Sequence, residues 1–69
     1  MKLSARNQLA GTVTEIRTGD AAANVVLDVA GHRIVSSITP EAVEELGLSV
    51  GTEVKAIIKA SDVILAIPD

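Results

Sequence analysis

The sequence contains no cysteine, tryptophan, tyrosine or phenylalanine, and it has a single histidine, His32. Without thiols it can build neither a disulfide framework nor a thiolate metal site. His32 has no second His or Cys to complete a metal site within one chain, and "GHR" around it reads as an exposed hairpin turn. Direct metal coordination is therefore not expected. The lack of aromatics also removes the stacking platforms on which single-strand nucleic-acid binders depend.

Positive charge is scarce as well. Six Lys and Arg stand against nine Asp and Glu, for a net charge of −3. Nucleic-acid affinity comes largely from neutralising phosphates with Lys and Arg, so a nucleic-acid partner is not expected. No apolar run approaches membrane-spanning length, and "MKLSARNQ" has no apolar core of the signal-peptide kind. The expected location is the cytoplasm, with no membrane partner.

Catalysis finds no foothold either. Besides His32, the candidate acids and bases are Asp28, Asp62 and the glutamates of "EAVEEL", and none stands in a recognisable arrangement with a nucleophile. "EAVEEL" reads as the solvated face of a helix. The chain reads as a non-enzyme without an organic cofactor.

What is present is a short, aliphatic chain. Its 69 residues are 48% hydrophobic, almost all Ala, Val, Ile and Leu. We read residues 1–69 as one domain, near the lower limit at which a core suffices alone. Aliphatic side chains bury less area each than aromatics, so such a chain should bury surface between subunits too. A homo-oligomer is expected.

The pattern along the chain is mostly β. "NQLAGTVTEI" is rich in β-branched residues and reads as a strand, with Gly11 a bulge or a point of close approach. "RTGDAA" is turn material, "NVVLDVA" a second strand, and "AGH" turns it back into "RIVSSI". In "TPEAVEELGL", Thr39 suits an N-cap, Pro40 the first helical position and Gly47 the stop, with Val43 and Leu46 on one face. "EVKAIIKA" and "DVILAIP" supply a fourth and a fifth strand. The order predicts an all-β fold: a five-stranded OB-type barrel with one short helix between strands three and four. Strands two, four and five are apolar on both faces, and a neighbouring subunit is the natural cover for the outer one.

Two fragments concentrate small hydrogen-bond donors around a cation. "SARN" holds Ser4, Arg6 and Asn7, and "KAS" holds Lys59, Ala60 and Ser61. In an extended strand residues i and i+2 share a face, which would pair Ser4 with Arg6 and Lys59 with Ser61. The intervening Ala5 and Ala60 leave backbone N–H groups accessible. Such a set suits a compact anion that accepts many hydrogen bonds. The same residues fit equally well with Arg6 and Lys59 forming surface ion pairs with acids such as Asp62 or Glu53.

"SARNQLAGTV", "ITPEAVEELGLSVGTEV" and "IIKASDVILAI", in that order and over nearly the full length, resemble the molbindin (Mop) family, called TOBE when attached to transporter ATPases or regulators. The resemblance implies an OB-type fold assembled as a hexamer, a trimer of dimers, that binds molybdate or tungstate between subunits. It implies a cytoplasmic store or buffer of the oxyanion. Carried over by position, the family's anion-binding residues fall on Ser4, Arg6, Lys59, Ala60 and Ser61. Ala5, Asn7 and Asn24 would be supporting contacts. A second class of site in the family uses the threonine of "IT", here Thr39. The serine that often follows it by three residues is replaced by Ala42, which weakens that site, and Glu41 adds negative charge beside it. Two competing readings remain at this level. One is a structural oligomerisation module with a vestigial anion site, and the other is an OB-type nucleic-acid binder resting on fold analogy alone.

Overall fold

A computed structural model of the chain describes residues 2–69. The chain is mostly strand with one short helix: β1 (Asn7–Thr18), β2 (Ala23–Val29), β3 (His32–Ile38), α1 (Pro40–Glu45) and β4 (Glu53–Ile58). The strands form one antiparallel sheet in the order β3-β2-β1-β4.

β1 organises the sheet because it serves two partners. Its first half, Asn7–Thr12, pairs with β4, and its second half, from Thr12 to Thr18, pairs with β2. A strand shared in this way must bend. The register shifts between Val13 and Glu15, leaving Thr14 as the extra residue of a β-bulge. The Thr14 hydroxyl donates to the Val26 carbonyl at 3.3 Å. Gly11, one of two roles expected for it, is the point of close approach and not the bulge. A Cβ there would lie 2.8 Å from Val29 Cγ2 and 3.0 Å from the Asp28 carbonyl oxygen.

The turns follow from their residues. Ala30 and Gly31 both take positive φ, 50° and 86°, as a two-residue type I′ hairpin requires. His32 lies outside that turn and opens β3 opposite Val29. Thr39 caps α1, its hydroxyl accepting from the Ala42 N–H at 3.1 Å. At the other end Gly47 N–H donates to Glu44 and Leu48 N–H to Val43, both at 3.0 Å. With Gly47 at φ 63° this is the Schellman pattern. Ser49 to Thr52 then turn the chain into β4, with Gly51 at φ 98°.

One face of the curled sheet is the core. Val13, Val25, Leu27 and Val29 are buried there, with Ile34, Ile38, Val43, Leu48, Val54 and Ala56 packed around them. Val43 joins this cluster, whereas Leu46, expected on the same helix face, is 67% exposed. The Schellman turn accounts for the difference, because it brings Leu48 back onto the core in place of Leu46.

The expected fifth strand does not form in the chain. β4 ends at Ile58, a 3₁₀ turn occupies Ala60–Asp62, and residues 63–69 adopt no regular structure. Ile64, Leu65 and Ile67 are 93%, 87% and 91% exposed. A strand needs an edge to pair with, and the turn carries this tail clear of both free edges, those of β3 and β4. The four-stranded sheet therefore remains an open trough. An apolar seam between β3 and β4, of about 390 Å³, reaches down to Val13, Val25 and Leu27.

Candidate oxyanion site

The β1–β4 ladder ends at the pair Asn7 and Ile58. One step beyond it on each strand stand Arg6 and Lys59. "SARN" and "KAS", 53 positions apart when counted from Arg6 and Lys59, thus meet at one end of the sheet within a single chain. The partners that bring them together are β1 and β4. Asn7 holds the end together, its side-chain Nδ2 donating to the Ile58 carbonyl at 3.2 Å. The role of Asn7 seen here is that of a clamp on the strands beneath the two cations.

Among the described residues neither cation has an acidic partner. Among the described residues the ion pair formed is Arg17 with Glu15, Nε to Oε2 at 3.0 Å. Glu53 sits at the opposite end of β4, paired with Thr12, and Asp62 forms no ion pair with Arg6 or Lys59. The alternative of surface pairs with Glu53 or Asp62 is thus not what the chain adopts. Like charges opposite one another on neighbouring strands are unfavourable unless something negative lies between them. Arg6 and Lys59 each flank the last pair of the β1–β4 ladder, and among the described residues neither forms an ion pair.

The expected alternation of Lys59 and Ser61 on one strand face does not hold. Lys59 still has extended backbone, φ −63° and ψ 139°, but Ala60, Ser61 and Asp62 form the 3₁₀ turn, in which Asp62 N–H donates to the Lys59 carbonyl at 2.9 Å. The N–H groups of Ala60 and Ser61 precede that first bond of the turn, where helical geometry leaves donors without intra-turn partners. Residues 2–6 lie before β1 and likewise form no strand. Ser4, Arg6, Lys59, Ala60 and Ser61 are all exposed and Ala5 is half-buried. In one chain these donors make an open ledge; enclosing an anion there needs a further surface.

Thr39 and Asn24 lie elsewhere. Asn24 pairs with Arg17 and Ser37, and Thr39 follows Ile38, which pairs with Ala23. They belong to the end of the ladder where β1 finishes, and the Arg6–Lys59 ledge to the end where it starts. The ladder of one chain does not bring the two groups together. Thr39 also already accepts a hydrogen bond as N-cap, although its hydroxyl hydrogen stays available to donate.

Among the described residues no group of three or more His, Cys, Asp or Glu is placed to hold a metal ion, and no helix is long and apolar enough to cross a membrane.

Comparison with known proteins gives a consistent picture. Residues 3–65 match the TOBE domain. Molybdenum-pterin-binding protein 1 of Clostridium pasteurianum is 47% identical over 66 residues, covering 94% of this chain and 97% of its own. The solved structure of a molybdate-binding protein from Sporomusa ovata superposes with a TM-score of 0.93 at 39% identity, covering 97% of this chain and all of that one. ModG, described as a cytoplasmic molybdate-binding protein and solved with molybdate bound, superposes at 0.92 with 52% identity. It matches 99% of this chain, which spans 49% of ModG. With a domain match over most of its length and full-length relatives at this identity, the chain belongs to the TOBE family, in its molbindin (Mop) branch, as a binding protein and not an enzyme.

Proposed function

We propose that this protein, a single domain over residues 1–69, binds molybdate or tungstate in the cytoplasm as an intracellular store and buffer. The anion sits between subunits of a homo-oligomer, a hexamer built as a trimer of dimers. The observation that carries this reading is that Arg6 and Lys59 flank the last β1–β4 pair, Asn7 and Ile58, and form no ion pair among the described residues. Ser4, Ser61 and the backbone of Ala60 supply the neutral donors around them. Cations offset the charge of the dianion, and neutral donors fix its geometry. The relatives' molybdenum and molybdate binding supports the choice of anion.

Selectivity follows from size and protonation. Molybdate and tungstate are larger than sulfate, so a cavity fitted to them leaves sulfate's oxygens short of several donors. Phosphate carries a proton at neutral pH, and a site made of donors offers that proton no acceptor. The net charge of −3 does not oppose binding, because exposed charges farther than about 8 Å are largely screened at physiological salt.

Exposure of every principal donor in one chain is what favours a shared site: the second subunit excludes the water that a single ledge leaves in place. Thr39 and Asn24, at the far end of the ladder, act at a second class of site or reach the anion from a neighbouring chain. Isothermal titration with molybdate, with sulfate as competitor and light scattering to size the assembly, tests the reading. Saturable binding that excess sulfate fails to displace is the expected result. An equally well-formed oligomer that takes up no heat would leave an assembly module with a vestigial site.

A further inference from the structure

Charge is unevenly spread over the face of the sheet that turns away from the core. Along β4, Val54 and Ala56 pack on the core, while Glu53, Lys55 and Ile57 stand exposed on the other face. Cross-strand partners share a face, so Thr12, Ala10 and Gln8 of β1 join them, and Asp28 of β2 joins Thr12 from the far side. Thr12 is thus flanked by two carboxylates, Asp28 and Glu53. A shallow hollow of about 300 Å³ lies over this row, lined by both of them together with Ala10. The next outward pair is Ala10 with Lys55, and the one after it is Gln8 with Ile57. Beyond them come Lys59, whose backbone is still extended, and Arg6. Along this face the sign of charge therefore changes from negative at Thr12 to positive at the ledge.

Lys55 is the residue at which the sign turns. It is exposed and stands opposite the small side chain of Ala10. Among the described residues it forms no ion pair, although Glu53 is two places away on the same face. A rise of roughly 3.3 Å per residue puts it about 13 Å from Lys59 along the strand. That distance suits a cation that acts on an anion before contact. At low ionic strength, where the Debye length reaches about 30 Å, its charge is felt across the whole gap. A lysine on an edge strand also discourages pairing with stray strands, but a charge of either sign serves that purpose. Guiding a dianion needs the positive sign.

We propose that Lys55 is the guiding cation of the oxyanion site. With the carboxylates of Asp28 and Glu53 behind it, it sets a field along the outer face of β1 and β4 that draws a dianion toward Arg6 and Lys59. This rests on the oxyanion reading above. A chain of net charge −3 repels a dianion at long range, and a local strip of this polarity keeps capture fast in spite of it. The cations then have separate roles. Arg6 and Lys59 hold the anion and set how long it stays, whereas Lys55 sets how often it arrives. Charges at the rim of a site act on the association rate and its salt dependence, and groups paired with the ligand act on dissociation.

The test separates the two rates on the full-length protein. Stopped flow with excess catechol, which colours as it captures released molybdate, gives the dissociation rate, and titration calorimetry gives Kd; the two together yield the association rate. In about 10 mM salt, Lys55→Gln should slow association about threefold and Lys55→Glu about tenfold, with dissociation unchanged. In about 1 M salt, where the Debye length is about 3 Å, the variants and the natural chain should coincide. Lys55→Arg should match the natural chain throughout. Lys55→Glu keeps a charge on the edge strand, so a lysine that only protects the edge would leave both rates alone. If that variant fails to fold, Lys55→Gln carries the comparison. Equal association rates at low salt overturn the guiding role. A change confined to dissociation overturns it too, because Lys55 would then be a contact of the anion. If the natural chain gives no heat with molybdate, the oxyanion reading itself falls, and the guiding role with it.

Discussion

Asn7 reaches across the end of the sheet and donates its side-chain amide to the carbonyl of Ile58 at 3.2 Å. The bond fastens β1 to β4 one residue short of Arg6 and Lys59, so the spacing of the two cations is set by a neutral side chain between them and the core. Its half-buried position makes it more than a surface contact.

Replacing Asn7 by alanine removes that clamp and lowers stability by about 1 kcal/mol, the net value of a hydrogen bond of this kind. At fixed protein concentration the melting midpoint should fall by roughly 4–8 °C for a domain of this size. Affinity for molybdate should fall with it, because the ledge frays. An Asn7→Ala variant that melts lower but binds as tightly would show that the clamp serves the fold alone.

Arg6→Ala and Lys59→Ala each take away a charged donor, worth about 1.5–3 kcal/mol. Molybdate affinity should drop roughly tenfold to a hundredfold in each. Both residues are exposed, flank the same end of the ladder and form no ion pair among the described residues. Stability without ligand should therefore hold steady or rise slightly. Arg6→Lys should fall between, since an ammonium keeps the charge and loses the planar fork. Titration calorimetry and a thermal melt on the same samples separate the two effects; equal affinity in all three variants would move the site elsewhere.

Gly11→Ala should destabilise the protein by about 1–3 kcal/mol. The added carbon would lie 2.8 Å from Val29 Cγ2 and 3.0 Å from the Asp28 carbonyl oxygen, and the second of these is backbone that cannot rotate away. Chemical denaturation should show a lower midpoint with the slope unchanged. A wild-type midpoint would mean that β1 yields at the adjacent bulge.

Ala30→Asn acts in the other direction. Ala30 takes φ 50°, where a Cβ carries a cost of about 1 kcal/mol that asparagine tolerates better. Asn-Gly is also the pair that type I′ turns favour. A gain approaching 1 kcal/mol by denaturation is expected, with molybdate affinity untouched. A loss would point to an unrecognised role for the alanine.

Much of this architecture is visible in the residues before any coordinates. Strong local signals placed the four strands and the helix, including Thr39 as its cap and Gly47 as its stop, because each depends on chemistry within a few positions. Gly11 illustrates the limit: its need for space was evident, but the bulge fell on Thr14, where the change of partner along β1 demands it. "DVILAIP" illustrates it more sharply. Its β-propensity is local, while the edge it would need belongs to no part of its own chain that the turn lets it reach. The candidate site was legible as two clusters of donors. That β1 and β4 unite them, and that the turn at Ala60 breaks the alternation after Lys59, are facts of register and hydrogen bonding that spacing alone does not encode.

In the sheet order β3-β2-β1-β4, β1 is the strand that joins β4 to the rest, so the bulge at Thr14 works as a joint between two leaves of one sheet. A change beside it, at Val13 or Glu15, would alter the angle between those leaves and so the width of the trough, without touching any residue of the ledge.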